Sequence, residues 1–189
     1  MSSAEAKEML RSLVRAARRQ GPDADPQALA AQCLAFVDGL AGPMRVTCYS
    51  SYATEPGTAP LMAALTDRGF EVLLPRVAGD DLDWVPHGGA TTISTMGIEE
   101  PVADGVPLMP LRAMLIPALA AGVDGARLGK GGGYYDRVLQ SLPSDHRPVL
   151  AAIVRDEDVL PAGTIPMESH DGRVDVIVTP TRVIQCTRD

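Results

Sequence analysis

The stretch that decides the fold reads AMLIPALAAGVDGARLGKGGGYYDR over residues 113–137. It opens on the apolar run AMLI at 113–116, which predicts a buried strand that ends before Pro117. It closes on YYDR, where we expect a helix over residues 134–141 to begin. A strand, a connecting loop and a helix in this order indicate an α/β protein.

Strands and helices alternate on both sides of this stretch. Apolar runs predict further strands at 45–49, at 70–74 (stopping at Pro75), at 149–154 and, as the last one, at 174–178. Helical spacing and helix start and stop residues predict helices at 4–20, 26–40 and 58–68. Residues 78–110 read as irregular, with a short hairpin around 82–85.

This alternation predicts an α/β fold with a mainly parallel, Rossmann-like sheet in a three-layer α/β/α arrangement, formed by a single domain over residues 1–189. Such sheets bind ligands outside the carboxyl ends of their strands. The loops after Tyr49, Leu74 and Ile116 are therefore the candidate site.

The composition limits the classes of function. The 189 residues include 17 Lys+Arg and 24 Asp+Glu, for a formal net charge of −7, which argues against nucleic-acid binding. The three cysteines lie far apart in the sequence, a spacing that matches neither a disulfide framework nor a zinc site. Neither a signal peptide nor a membrane span is visible, so we expect a cytoplasmic protein with no membrane partner.

The segment from Gly129 to Gly133 is the most informative loop, since four of its five residues are glycine and the fifth is Lys130. Glycine lets backbone N–H groups turn toward an anion, and the following helix adds the positive end of its dipole. With Arg127 and Lys130 the loop suits a polyphosphate. Neither the Walker A pattern nor G-x-G-x-x-G fits, because Gly131 follows Lys130 and Tyr134 stands at the third glycine position. A flexible surface loop is the alternative reading.

The N-terminal helix is predicted to carry two opposite faces. The apolar face consists of Leu10, Leu13, Val14 and Ala17, and the basic face of Lys7, Arg11, Arg15 and Arg18. A basic stripe taken by itself is typical of a solvated surface.

The sequence resembles the 5-formyltetrahydrofolate cyclo-ligase family, also called 5,10-methenyltetrahydrofolate synthetases. The most specific part is the pattern D-G-x-R-L-G-x-G-x-G-Y-Y-D-R over residues 124–137, preceded by LIPALA at 115–120. Other segments resemble family counterparts in the expected order: K-x-x-x-R at 7–11, the loop 49–58, GFEVLLPR at 69–76, MGIEEP at 96–101, and PMESHD at 166–171 followed by Asp175 and Thr179. One departure is Asp158, where related sequences often carry Gln.

The resemblance implies an enzyme that uses ATP and Mg²⁺ to convert 5-formyltetrahydrofolate into 5,10-methenyltetrahydrofolate, releasing ADP and phosphate. The formyl oxygen would attack the γ-phosphate, and N10 would then attack the activated carbon as phosphate leaves. Two alternatives stay open: another ATP-dependent ligase or phosphotransferase on the same scaffold, and a non-catalytic folate-binding module. We expect a monomer that acts on a small molecule.

The same resemblance implies roles for individual residues. Lys130 and Arg127 would be catalytic, by offsetting charge on the phosphates, while Arg15 and Arg18 would stay solvated. The implied ATP-binding residues are Lys7, Arg11, Arg127, Leu128, Gly129, Lys130, Gly131, Gly132, Gly133, Tyr134 and Tyr135. The implied folate-binding residues are Ser50, Glu55, Trp84, Lys130, Gly131, Gly132, Gly133 and Tyr134.

Asp136 and Asp171 would hold Mg²⁺ by the same resemblance, since this ion prefers hard oxygen ligands. Each candidate also has a plainer interpretation. Asp136 could be an ordinary first-turn helix residue favoured by the helix dipole, and Asp171 an ordinary turn residue. Trp84 could simply fill the core, and His170 is more typical of a structural residue than of a catalytic one.

Overall fold

The computed structural model describes residues 2–93 and 99–187. Its four helices are α1 (Ser3–Gln20), α2 (Pro26–Asp38), α3 (Ala59–Asp67) and α4 (Tyr134–Ser141). Its strands are β1 (Arg45–Thr47), β2 (Glu71–Ala78), β3 (Asp81–Pro86), β4 (Thr91–Ile93), β5 (Glu99–Pro101), β6 (Ala113–Pro117), β7 (Ala120–Gly122), β8 (Arg127–Leu128), β9 (Val149–Ile153), β10 (Val159–Leu160), β11 (Val176–Val178) and β12 (Val183–Gln185). The first half of the predicted MGIEEP segment lies outside the described residues.

The first two helices begin where short polar side chains satisfy the free backbone N–H groups of their first turn. Ser2 and Glu5 form a reciprocal capping box at the start of α1. Asp25 accepts hydrogen bonds from two amides at the start of α2, and Pro26 stands in the first turn. The predicted helices at 4–20 and 26–40 are confirmed, with ends shifted by no more than two residues.

Seven strands form one sheet in the order β12-β11-β9-β6-β1-β2-β3. The five central strands from β11 to β2 are parallel, and the two outer strands, β12 and β3, are antiparallel to their neighbours. Helices α2 and α3 pack on one face, and α4 packs on the other. The predicted α/β fold with a mainly parallel sheet is confirmed. The expectation that the strand at 174–178 is the last one is wrong, because β12 follows it.

The prediction that the strand at 70–74 stops at Pro75 is also wrong, since β2 runs through Pro75 and forms a hairpin with β3. Neighbouring residues of β2 bond to opposite sides: Val72 accepts from His87 on the β3 side, and Leu73 accepts from Cys48 on the other. Pro75 lies on the same side as Leu73, beyond the end of β1, so its missing N–H removes no bond from the sheet. The hairpin expected around 82–85 is confirmed.

The segment after β6 is more ordered than the predicted loop. Strands β7 and β8 form an antiparallel hairpin that β10 extends into a small second sheet. Gly125 makes the turn between them with φ +83°, and a Cβ there would lie 2.5 Å from the Val174 carbonyl oxygen, so only glycine fits. Arg127 and Leu128 therefore lie on a buried strand, and the glycine-rich loop begins after them.

The faces of α1 differ from the prediction. Leu13, expected on the apolar face, is 62% exposed, whereas Lys7, Val14 and Arg18 are buried. The basic side chains turn inward because the rest of the chain supplies acceptors for them, as when Arg18 Nε donates to Asp158 at 2.8 Å. The expectation that Arg18 lies on a solvated surface is wrong.

Candidate active site

The loops after β1 and β6, together with the end of β2 at Pro75 and Val77, surround one cavity of about 1240 Å³. These three strands are neighbours in the sheet, so their carboxyl ends meet at the same edge, as the parallel-sheet rule predicts. The cavity is lined by every residue predicted for the site except Trp84. The sequence thus predicts the place of the site and fifteen of the 27 described residues that line it.

The glycine-rich loop is held against α1 from outside. Arg11 Nε donates to the Gly129 carbonyl oxygen at 2.9 Å, and Arg15 donates to the Lys130 carbonyl oxygen at 3.3 Å. Gly133 has φ +68° and is the N-cap of α4, where no side chain caps the first turn. The amide groups that begin α4 are therefore available to an anion at the positive end of the helix dipole.

Arg127 and Asp136 form an ion pair in the cavity wall. Arg127 Nη2 lies 2.6 Å from Asp136 Oδ1, and the backbone N–H of Gly172 donates to the same oxygen at 3.4 Å. Arg127 Nε is buried without a hydrogen-bond partner. Through Gly172, Asp136 is next to the segment that carries Asp171, so the two predicted metal ligands line one wall.

Lys7 approaches the same wall from α1. Its Nζ lies 2.5 Å from Asp171 Oδ2 and 3.5 Å from Glu168. Burial raises the pKa of Asp171, but the hydrogen bonds from Lys7 and from the Glu168 amide outweigh it, so the net pKa lies below the usual range. Glu168, His170 and Asp171 place ligand atoms within 4.8 Å of one another. Glu168 and His170 are residues that the sequence analysis did not assign to the metal.

Glu55 and Lys130 meet across the mouth of the cavity. Glu55 Oε1 lies 2.9 Å from Lys130 Nζ, and Glu55 Oε2 accepts from the Tyr52 amide at 2.8 Å. The Glu55 side chain is only 6% exposed, whereas that of Lys130 is 48% exposed. Lys130 also lies 5.6 Å from the centre of the Tyr52 ring. The carboxylate is thus buried, whereas the side chain of its cation is half exposed.

Two tyrosine hydroxyls in the lining, those of Tyr49 and Tyr135, are buried without hydrogen-bond partners. Burial raises the pKa of both groups, and the nearby Glu55 carboxylate adds to the shift of each, so they stay neutral. A buried polar group normally has a partner, so these hydroxyls indicate a ligand with polar atoms. The sequence analysis missed Tyr49 as a site residue, although it stands at the carboxyl end of a predicted strand.

Trp84 does not line the cavity. It is buried in the core beneath it, with its ring 6.4 Å from that of Tyr135 in an edge-on arrangement. The structure therefore favours the core-filling interpretation of Trp84 over the implied contact with a folate, and its role stays a prediction. A strand that pairs along its length with β2 turns alternate side chains into the core, and Trp84 is one of these.

Three cations of the lining are paired with carboxylates that also line the cavity: Lys7 with Asp171, Arg127 with Asp136, and Lys130 with Glu55. A polyphosphate can replace a carboxylate as the partner of a cation, and the released carboxylate can then bind a metal ion or a substrate N–H group. The site is therefore suited to a phosphorylated ligand at the edge of an α/β sheet.

The chain belongs to the 5-formyltetrahydrofolate cyclo-ligase family, whose profile matches residues 3–180. It is 32% identical to a 5-formyltetrahydrofolate cyclo-ligase of Mycolicibacterium smegmatis, an alignment that covers 98% of this chain and 100% of that protein. It is 33% identical to the protein of the same name from Escherichia coli K12, over 73% of this chain and 79% of that one.

The fold is likewise that of solved relatives. The solution structure of a 5,10-methenyltetrahydrofolate synthetase from Aquifex aeolicus is similar with a TM-score of 0.77 at 25% identity, covering 97% of this chain and 94% of the other. A synthetase from Mycoplasma pneumoniae has the same fold, with a TM-score of 0.64 at 17% identity, over 94% of this chain and 98% of the other.

The predicted family, and with it the prediction of a cyclo-ligase enzyme, is confirmed by these similarities. Within residues 2–93 and 99–187, no helix combines the length and apolar character needed to cross a membrane. The single domain, the monomer, the cytoplasmic location, the absence of a nucleic-acid partner and the roles of individual site residues stay predictions.

Proposed function

We propose that this chain converts 5-formyltetrahydrofolate into 5,10-methenyltetrahydrofolate with ATP and Mg²⁺, releasing ADP and phosphate through a phosphorylated formyl group. Family membership supports the reaction class. The observation that carries the finer proposal is the single cavity that combines a glycine-rich helix N-terminus, four cations (Lys7, Arg11, Arg127 and Lys130) and two carboxylates suited to a metal ion.

The size of the cavity supports two substrates rather than one. Its volume of about 1240 Å³ exceeds the range of about 300–1,000 Å³ that is usual for pockets of single small ligands. Transfer of a phosphoryl group from a nucleotide to a folate needs both molecules in one water-excluding site with the reacting atoms in line. An undivided cavity of this size meets that need.

The ATP side of the proposal rests on Lys7, Arg11, Arg127 and the loop before α4. In this proposal the phosphates lie at the N-terminus of α4 and take over Arg127 and Lys7 from their carboxylate partners. Arg127 suits a bidentate contact to a phosphate, and Lys7 acts as a point charge. The main-chain amides of Gly131 to Gly133 and the helix dipole add partial positive charge without any side-chain rearrangement.

Magnesium fits the donor set of the same wall. Asp136 and Asp171 are carboxylates, the lowered pKa of Asp171 keeps it ionised at neutral pH, and Glu168 adds a third oxygen donor nearby. The ion would supply charge neutralisation between the phosphate oxygens. Asp136 and Asp171 would hold it, with their present cation partners turned to the phosphates.

The folate side of the proposal rests on Glu55, Ser50 and Tyr134. Glu55 is a buried acceptor for the N–H groups of a pterin edge, and Tyr134 offers a ring surface beside the loop. Lys130 belongs to the phosphate loop and its side chain reaches Glu55 on the folate side, so it can offset the charge that passes to the formyl oxygen. Phosphorylation turns that oxygen into a leaving group, after which N10 closes the ring.

The direct test is to incubate the purified, folded protein with ATP, Mg²⁺ and 5-formyltetrahydrofolate and to follow the near-ultraviolet absorbance of the methenyl product. Product should form only when all three are present, with one ADP released per turnover. If folded protein forms no product, the proposed reaction is wrong. If product forms without ATP consumption, the phosphorylated intermediate is wrong.

A further inference from the structure

We infer that Arg155, together with Arg18, is a positioning residue that holds the Glu55 loop in its folate-binding shape and thereby sets the affinity for the folate rather than for ATP. This inference rests on the proposed function, because it takes the Glu55 side of the cavity as the folate side. Both arginines lie outside the cavity lining, so neither touches a substrate.

The two guanidinium groups meet at one backbone atom. Arg155 Nη2 donates to the Thr54 carbonyl oxygen at 2.9 Å, and Arg18 Nη1 approaches the same oxygen at 3.4 Å. Thr54 directly precedes Glu55 in the chain. The position of the Glu55 backbone is therefore tied to two side chains from distant segments, one on α1 and one after β9.

The loop needs such support because its backbone is strained. Ala53, the residue before Thr54, has φ +54° and is the only residue other than glycine with a positive φ in the described part of the chain. A left-handed conformation is unfavourable for an L-residue with a Cβ, and it persists where the surrounding structure fixes it. Two hydrogen bonds between Tyr52 and Glu55 close the turn around Ala53, and the two hydrogen bonds to Thr54 tie that turn to the rest of the protein.

The rest of the network is rigid enough to act as an anchor. Arg155 and Arg18 side chains are no more than 2% exposed, and Arg155 Nη1 also donates to the Pro22 carbonyl oxygen at 3.0 Å. Arg18 Nη2 donates to the carbonyl oxygens of Ala118 at 3.1 Å and Leu119 at 2.7 Å, where the chain leaves β6. The Glu55 loop is thus fixed to the floor of the cavity.

The phosphate loop has separate supports. Its carbonyl oxygens at Gly129 and Lys130 are bound by Arg11 and Arg15, which have no contact with Thr54 within the described residues. Loss of the Arg155 contact should therefore move the Glu55 loop and leave the main chain of the phosphate loop in place, although the half-exposed side chain of Lys130 links the two loops through its ion pair with Glu55. This separation makes the inference testable by comparing the two substrates.

Arg155→Met is the most informative variant, because the carboxylates that pair with Arg155, those of Asp23 and Glu157, are exposed. Its partner Asp23 is 97% exposed, so the substitution leaves no unpaired charge in the interior and the protein should fold. We expect the KM for 5-formyltetrahydrofolate to rise about tenfold, because a displaced loop weakens every contact that it makes. The KM for ATP should stay within about twofold. Arg155→Lys should recover part of the loss.

Arg112→Met is the matched control. Arg112 also donates to backbone carbonyl oxygens, those of Gly42 and Pro43, but at the opposite edge of the sheet. A merely structural role for Arg155 would give the two variants the same small change in melting temperature and no change in KM. That result, or an equal rise of both KM values in Arg155→Met, would overturn the inference.

Equilibrium binding of 5-formyltetrahydrofolate without ATP separates this inference from the proposed function. If the wild type binds the folate but does not turn it over, the proposed reaction fails, and weaker binding by Arg155→Met alone would still support the positioning role. If Arg155→Met binds as tightly as the wild type, the positioning role fails whatever the reaction. A wild type that binds no folate would overturn both.

Discussion

Helix α1 carries two buried cations on one face, three turns apart, and their surroundings differ. Lys7 pairs with Asp171 at 2.5 Å in the wall of the cavity, and Arg18 pairs with Asp158 at 2.8 Å in the interior. For Asp158 burial is the dominant influence, and its pKa is raised despite Arg18. For Asp171 the pKa is lowered, because hydrogen bonds from Lys7 and a backbone amide outweigh burial.

The comparison shows that the pKa of a carboxylate in an ion pair depends on its surroundings and not only on the residue types of the pair. Next to a cavity, a carboxylate keeps its charge easily and can exchange its cation for a metal ion. In the dry interior, the same kind of pair is costly to break and cannot exchange partners. One helix face can therefore serve ligand binding at one end and positioning at the other.

The largest expected effect comes from breaking the interior pair. Asp158→Ala should lower the free energy of unfolding by about 3–5 kcal/mol, because it leaves the Arg18 charge buried without a carboxylate. Denaturant titration measures this loss. The control is Asp38→Ala, which breaks a surface pair with Arg68 and should cost about 1 kcal/mol or less. Equal losses in the two variants would contradict the contrast between interior and surface.

Substitutions of residues that line the cavity should lower activity rather than stability. If the proposed roles hold, Asp136→Ala and Lys130→Ala should each lower kcat/KM about a hundredfold, since Asp136 is the proposed metal ligand and Lys130 the proposed phosphate-neutralising charge. The melting temperature should change by only a few degrees. Arg68→Ala, which removes an exposed cation far from the loop, is the control with unchanged kinetics. If both cavity variants kept full activity, the loop would not be the phosphate site.

A smaller effect is expected when both members of the interior pair are replaced. The double variant Arg18→Met with Asp158→Leu should be more stable than Asp158→Ala, because no unpaired charge remains, but less stable than the wild type, because the carbonyl oxygens of Ala118 and Leu119 lose a buried donor. Its KM for the folate should nevertheless rise, since Thr54 loses one of its two donors. A double variant as unstable as Asp158→Ala alone would show that packing, not charge, governs this region.

The smallest expected effect is the dependence of the free energy of unfolding on pH in the acid range. It has opposite signs for Asp171 and Asp158. The lowered pKa of Asp171 means that its contribution to stability is present above its usual pKa of about 4 and is lost as the pH falls through its folded value. The raised pKa of Asp158 means that its contribution is greatest below about pH 4 and declines as the pH rises through its folded value.

Denaturant titrations of the wild type, Asp171→Asn and Asp158→Asn between about pH 3 and pH 7 measure both contributions as differences. The stability advantage of the wild type over Asp171→Asn should grow with pH, and that over Asp158→Asn should shrink. Two differences with the same slope would contradict the opposite pKa shifts.

The sequence predicts those features that depend on neighbours along the chain. Apolar runs and caps locate the central parallel strands and all four helices, and the 124–137 pattern predicts the family and part of the cavity lining. The inward turn of the basic face of α1 was not predictable in this way, because the partner of Arg18 stands 140 residues away. The same holds for Trp84, whose burial depends on which face of the β2–β3 hairpin meets α4.

Asp158 stands where related sequences often carry Gln, and its partner in the folded chain explains this difference. A neutral amide at that position would offer Arg18 a hydrogen bond but no opposite charge, whereas Asp158 offers both. The Asp at this position therefore goes together with the burial of Arg18. Local sequence patterns do not contain this pairing, since it joins the first helix to a turn near the end of the sheet.

The basic face of α1 also bears on the order of folding during synthesis. Helix α1 leaves the ribosome early, but Gly129, Asp158 and Asp171 follow its contacting residues by 118, 140 and 164 positions. Until these partners emerge, Lys7 and Arg18 lack the carboxylates that they pair with in the folded protein. Helix α1 is thus made before α2, α3 and α4, but its contacts with the cavity wall form only after Asp171 has emerged.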